Sequence, residues 1–295
     1  MHATLKQPLF IIGLQKSGTT LLNRLLIEQS DYFFSPFKLE GRQFWGDDPP
    51  FAPVKSPCGE IYQKYSGLYG HSATKSDYDR MHQEILYNRL RKVTLEAPVL
   101  INKNPYNTVR IPWLKEMFPS CKIIAMVRNP CPNVFSLLKK HIPHKGRGLG
   151  PENGWWGVKP LNWQDLIDNN LLSQLAKQWR EVNKEIIKHH DNIDLTLNYK
   201  DLCGNPNFYL SSILALYGKK AHLDIPTLTC LDNEYKHGSR LLSKNRIFQK
   251  NQNLQLKESV SDTDELKPLN RFDIATIRFR TWNTALKLKK LTTTK

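Results

Sequence analysis

The sequence predicts an α/β fold, a P-loop-type, mainly parallel sheet of four to five strands with helices on both faces. Three observations predict it. Short apolar runs of strand length recur, each followed by a helical pattern, so the connections are crossovers. The first such unit, PLFIIGLQKSGTTLLNRLL over Pro8–Leu26, joins its strand to its helix through a polar loop bracketed by glycines. The other distinctive polar residues fall where the apolar runs end, which is where such sheets bind ligands.

Leu9 to Leu14 is an unbroken apolar run, Gly13 and Gly18 bracket the loop, and Leu21, Leu22, Leu25 and Leu26 recur at helical spacing. In a strand–loop–helix unit the loop amides and the first helical turn point into one concavity. The helix dipole adds partial positive charge there, so the expected guest is an anion. Lys16, Thr19 and Thr20 add a charge and two hydroxyl donors. A nucleoside-triphosphatase loop reads G-x-x-x-x-G-K-[ST]. Gly13 and Gly18 keep that glycine spacing, but Thr19 stands in the lysine's place and the loop's own lysine is Lys16.

Ser30 to Gly70 has no periodicity and is rich in aromatics, prolines and glycines; apolar rings beside Glu40 suggest a substrate-facing wall. Ser76 is expected to open a helix with Asp79 as its capping partner and Tyr78, Met81, Ile85, Leu86, Leu90 and Val93 on its core face. Val99 to Asn102 is the second strand and runs into Lys103-Asn104-Pro105. Pro112 and Trp113 open a brief helix that stops at Pro119. Lys122 to Val127 is the third strand, with Arg128 at its carboxyl end. The helix after it carries Val134, Phe135, Leu137 and Leu138 with Ser136 beside them. Arg128 and Ser136 are eight residues apart, so a strand-end arginine and a hydroxyl about two turns into the helix could meet at one phosphate.

Ile142 to Trp163 reads as a loop around Trp155-Trp156, followed by a long helix from about Trp163 to His190. Ile193 to Tyr199 is the fourth strand by alternation and β-branching, placing Tyr199 at its end. Asn205-Pro206 opens a further helix and Gly218 stops it. Lys236 to Lys250 reads as a basic loop, and Arg271 to Lys290 as a closing helix with Ile274, Ile277, Trp282, Leu286 and Leu288 available for packing. One domain over residues 1–295 is expected.

A net charge of +16 calls for polyanionic partners, among them nucleic acid, an anionic membrane surface, an acidic acceptor or a phosphate-rich co-substrate. A nucleic-acid binder would interleave its cations with exposed aromatics on one element, whereas these cations lie at separate strand ends, so no nucleic acid is expected. The five cysteines are scattered and never spaced as C-x-x-C, so neither a disulfide framework nor a zinc site is indicated, and no metal is expected. No apolar run has membrane-spanning length, and little chain precedes the first strand; the expectation is a soluble cytoplasmic protein without a transmembrane segment.

Gln15-Lys16-Ser17-Gly18-Thr19-Thr20 after a buried strand resembles the 5'-phosphosulfate loop of sulfotransferases that use 3'-phosphoadenosine 5'-phosphosulfate (PAPS). Lys122 to Lys140, KIIAMVRNPCPNVFSLLKK, resembles the same family's 3'-phosphate motif. That resemblance gives Arg128 and Ser136 the 3'-phosphate, with Lys140 as a weaker addition. INKNPYNTVRIPWLKEMFPSCKIIAMVRNP and LNYKDLCGNP are similar to tyrosylprotein sulfotransferases, in which the tyrosine corresponding to Tyr199 packs near the adenine. Ser243-Lys244 loosely fits the late serine and lysine that close over the nucleotide. Gln43-Phe44-Trp45 is closer to heparan-type carbohydrate enzymes, so the acceptor stays open between carbohydrate, small molecule and peptide tyrosine.

The resemblance implies in-line sulfuryl transfer from PAPS to an acceptor hydroxyl or amine. Such transfer needs positioning and compensation of charge on the leaving oxygen more than covalent help. Lys16 and Lys103 are the candidates for that oxygen, and Glu40 for the general base. His141 and His144 are the alternative bases. The competing readings are a P-loop kinase, which needs the lysine that Thr19 displaces, and a basic polyanion-binding protein.

Overall fold

The computed structural model describes residues 8–35, 70–93, 99–141, 154–220, 223, 225 and 269–293. Strands β1 (Leu9–Ile12), β2 (Phe33–Phe34), β3 (Val99–Lys103), β4 (Lys122–Val127) and β5 (Leu195–Asn198) form one sheet in the order β2-β3-β1-β4-β5. Every pairing is parallel. After β1 the chain builds β2 and β3 on one side, then crosses to build β4 and β5 on the other. The carboxyl end of β1, between β3 and β4, is therefore the switch point where such sheets bind ligands.

The helices are α1 (Thr19–Gln29), α2 (Arg80–Val93), α3 (Ile111–Met117), α4 (Pro130–His141), α5 (Leu171–Lys188), α6 (Tyr199–Gly204), α7 (Pro206–Ala215) and α8 (Arg271–Thr293). The two-residue period of the strands divides them between two cores. Phe10, Ile12, Ile123, Ala125 and Val127 face α2, α3, α4, α5 and α8, around the buried Trp113 and Trp179. Leu9, Ile11, Ile101, Ile124, Met126 and Leu197 face α1, α6 and α7. Both faces of the sheet are covered, which is why its strands read as continuous apolar runs.

Several boundaries differ from the sequence expectation, and side-chain caps give the reason. Thr74 and Asp77 close a capping box around the 3₁₀ turn Lys75–Asp77, so no helix opens at Ser76. Asp79 Oδ1 instead accepts the amides of Met81 and His82 at 2.7 and 3.1 Å, starting α2 at Arg80. The long helix opens at Leu171 rather than Trp163, because Asn170 Oδ1 accepts the Ser173 amide at 3.0 Å. Trp163–Leu166 is a separate 3₁₀ turn. Asn198 caps α6, so Tyr199 begins a helix rather than ending a strand. Trp282 and Leu286 do not pack inward; Thr281 and Thr284 are buried in company with Ile277 and Leu288. Strand β2, two aromatics at the sheet edge, falls in a stretch where no periodicity shows. Among the described residues Cys121, Cys131 and Cys203 are buried, no group of side chains could hold a metal ion, and no helix is long and apolar enough to cross a membrane.

Candidate active site

The β1–α1 loop is shaped by what lies under it. Gly13 has φ +140°, and a Cβ there would fall 2.3 Å from the Met126 carbonyl oxygen of β4, so only glycine lets the loop leave the sheet this closely. Its amide donates to Thr108 Oγ1 at 2.8 Å. Gly18, at φ +101°, lies against Tyr199, where a Cβ would come within 2.5 Å of the ring. Between them the Ser17 amide donates back to the Leu14 carbonyl at 3.1 Å. Lys16 takes φ +69°, the single positive value outside glycine among the described residues. That backbone costs roughly 1–2 kcal/mol and persists where surroundings over-determine it. Here Arg128 Nη1 donates to the Lys16 carbonyl at 3.1 Å and Asn133 Nδ2 to the Gln15 carbonyl at 2.9 Å.

Gly18 caps α1 without a side chain, and the first turn holds no acidic residue. The amides of that turn have no intrahelical partner and are left for a ligand. Beside them the hydroxyl of Ser17, only 1% exposed, has no hydrogen-bond partner among the described residues; Gln15 Oε1 and Asn133 Oδ1 are in the same condition. Thr19 is buried and Thr20 half-buried, so the residue in the kinase lysine's place points into the fold.

On one side of the loop the Arg128 guanidinium stands over the Tyr199 ring at 4.5 Å, and the Arg128 carbonyl accepts Trp179 Nε1 at 3.2 Å. Lys16, Gly18, Arg128 and Tyr199 are thus one contiguous group. Ser136 is half-buried on α4, three residues beyond the fully buried Asn133 and so on the same helical face. On the other side, Lys103 closes β3 opposite Ile11 and is 3% exposed. The Asn104 amide donates to the Ile11 carbonyl at 3.2 Å, Asn104 Oδ1 accepts the Tyr106 amide at 3.0 Å, and Asn107 Nδ2 donates to Asn102 Oδ1 at 3.0 Å. Lys16, Lys103 and Arg128 therefore follow three adjacent strands, a cationic arc around the helix terminus.

Two supports escaped sequence reasoning. Thr108 and Asn133 each reach the loop from far along the chain; their signal is only that each lies a few residues beyond a strand-end cation. A third group packs on the turn after β3. His71 stacks on Tyr106 at 3.8 Å and 9°, its Nδ1 accepts the Lys159 amide at 2.9 Å, and its carbonyl accepts Arg110 Nε at 2.6 Å. Burial, then the Arg110 and Lys159 charges, hold this imidazole well below its ordinary pKa, so it stays neutral and keeps accepting. Segment 154–158 closes over Gln15: Gln174 Nε2 donates to the Gly154 carbonyl, Gln178 Nε2 to those of Trp156 and Val158. A Cβ on Gly157 would fall 2.6 Å from Gln15 Nε2. Burial also lowers the pKa of His141. Glu40, Ser243, Lys244 and His144 lie outside the described residues, as does the side chain of Lys140.

A parallel α/β sheet with an anion-ready helix terminus at its switch point defines the class, and the chain belongs to the sulfotransferase family, whose model matches residues 8–221. It is a sulfotransferase enzyme. A Caenorhabditis briggsae protein provisionally named a protein-tyrosine sulfotransferase is 23% identical over 214 residues, 68% of each chain. Protein-tyrosine sulfotransferase 1 of Homo sapiens is 26% identical over 147 residues, 48% of this chain and 36% of the human protein. The chain thus spans about a third of the length of that human relative. Among solved structures, the sulfotransferase domain from the Synechococcus PCC 7002 olefin synthase aligns over 98% of both chains at 16% identity with a TM-score of 0.47.

Proposed function

We propose that the protein transfers the sulfuryl group of PAPS to an acceptor hydroxyl, with a peptide tyrosine the first candidate acceptor. The observation that carries the donor is the pairing of an uncapped α1 terminus with the buried, unpartnered Ser17 hydroxyl. A 5'-phosphosulfate would satisfy both. Gln15, Lys16, Ser17, Gly18, Thr19 and Thr20 supply amides, hydroxyls and one cation to that group, and no protein carboxylate sits in the turn to compete.

Arg128 and Ser136 are assigned to the 3'-phosphate, with Lys140 beyond them, and Tyr199 to the adenine, with Ser243 and Lys244 closing over it. The contact of Arg128 with the Tyr199 ring supports putting the two assigned roles side by side. PAPS supplies the sulfuryl group and a phosphate leaving group when bound; the chain's own residues orient it and hold charge. Lys16, in the loop after β1, and Lys103, at the end of the adjacent β3, are assigned to the leaving oxygen. Glu40 is assigned to accept the proton that the acceptor hydroxyl loses. The relatives' names as protein-tyrosine sulfotransferases favour a phenolic acceptor; carbohydrate and small-molecule hydroxyls or amines are the alternatives.

The test incubates purified protein and ³⁵S-labelled PAPS with a tyrosine peptide, an oligosaccharide, a simple phenol and an alkyl amine. Label should reach the peptide, and Lys103→Ala should lower kcat by roughly 10²- to 10³-fold. Absence of transfer to every acceptor would refute the donor assignment. Transfer to the oligosaccharide alone would refute the phenolic acceptor and leave the donor standing.

A further inference from the structure

Helix α8 has two unlike faces. Ile277, Thr281, Thr284 and Leu288 turn one into the core against α5 and α4. On the opposite side Phe272, Phe279, Trp282 and Leu286 are 85%, 75%, 60% and 53% exposed. Their spacings of seven, three and four residues align them in a single stripe along the helix. Cations flank it: Arg271 and Arg278 project along one edge and Lys287 along the other, with Arg280 beside Phe279 at 5.9 Å. The helix also carries Lys289 and Lys290, and Asp273 is its only acidic residue.

A second copy would bring like charges together along both edges of the stripe, with a single acid per helix to offset them. An anionic bilayer meets both demands at once, an acyl boundary for large apolar side chains and negative headgroups for the flanking cations. No described helix is apolar enough to cross a membrane, so a helix about 35 Å long would lie in the interface plane. We propose that α8 docks the protein onto an anionic lipid bilayer, with Phe272, Phe279, Trp282 and Leu286 inserted and the flanking arginines and lysines on the headgroups. This surface is formed by the helix that closes the first core and uses none of the residues assigned to sulfuryl transfer.

Co-sedimentation of the full chain tests it, using vesicles of phosphatidylserine with phosphatidylcholine and vesicles of phosphatidylcholine alone. The protein should sediment with the first and not the second. The combined Arg271→Glu, Arg278→Glu and Lys287→Glu variant should bind more weakly by about fivefold or more per site. The Phe279→Ser, Trp282→Ser variant should lose at least about tenfold. All five positions point outward, so thermal midpoints should match the parent; as a second reading, vesicles should blue-shift the parent's fluorescence and not that of Trp282→Phe. Three results would each overturn the proposal. They are no sedimentation with anionic vesicles, binding that survives Phe279→Ser, Trp282→Ser, and self-association abolished by that variant without vesicle binding.

Discussion

Arg128 does several things at once. It donates to the Lys16 carbonyl, lies over Tyr199 and, through its own carbonyl, accepts the indole of Trp179. The first contact steadies the one strained non-glycine backbone of the β1–α1 loop, so the residue has a structural duty apart from any ligand. The two duties separate by ligand. Arg128→Ala should weaken adenosine 3',5'-bisphosphate by roughly 10- to 100-fold, since hydrogen bonds to charged groups contribute about 1.5–3 kcal/mol. Adenosine 5'-monophosphate lacks the 3'-phosphate and should lose far less. Calorimetric titration of both ligands checks this, and equal losses would leave Arg128 with the loop alone. Lys16, Lys103 and Arg128 are legible in the sequence because each follows an apolar run. Asn133 and Thr108 are not, because a hydrogen bond across 95 or 118 residues leaves no local pattern.

At the scale of elements, His71 joins the approach to α2, the Tyr106 turn after β3 and the Lys159 segment. Its Nδ1 accepts the Lys159 amide, which requires the neutral ring. The unfolded chain takes up this proton near pH 6.5, whereas the folded chain takes it up only well below that. A group with a depressed folded pKa contributes stability that is present above the unfolded value and lost as pH falls toward the folded one. Unfolding free energy should therefore fall below pH 6.5, with up to about 1.4 kcal/mol per pH unit of slope from this residue. Chemical denaturation across that range should show a shallower acid slope for His71→Gln than for the parent; equal slopes would contradict the assignment. Burial also lowers His141 and His189, but they titrate in both proteins and cancel in the difference. Strand β4 matches its expected span because a five-residue apolar run, Ile123 to Val127, buried on both faces can be little else. The α2 and α5 starts differ from the expected Ser76 and Trp163 because Asp79 and Asn170 accept the first-turn amides. Sequence leaves Trp282 and Leu286 available for packing because apolarity marks both faces of α8 alike, and only the burial of Thr281 and Thr284 reveals which one turns in.

For the whole molecule, strand order puts an uncapped, glycine-bounded helix terminus between β3, which ends in Lys103, and β4, which is followed by Arg128. That convergence, rather than the net charge of +16, is what favours the proposed site for a bisphosphorylated nucleotide over a general attraction to polyanions. Every group assigned to the two phosphates is an amide, a hydroxyl or a cationic side chain, so binding should need no metal. Ligand that binds only the folded chain adds stability by mass action, about 2.7 kcal/mol at a hundredfold excess over the dissociation constant. The most direct measurement is the unfolding free energy of the purified protein in a chelator, with and without adenosine 3',5'-bisphosphate. A gain of that size without metal is predicted. No gain with this ligand, together with stabilisation by ATP and magnesium, would contradict it.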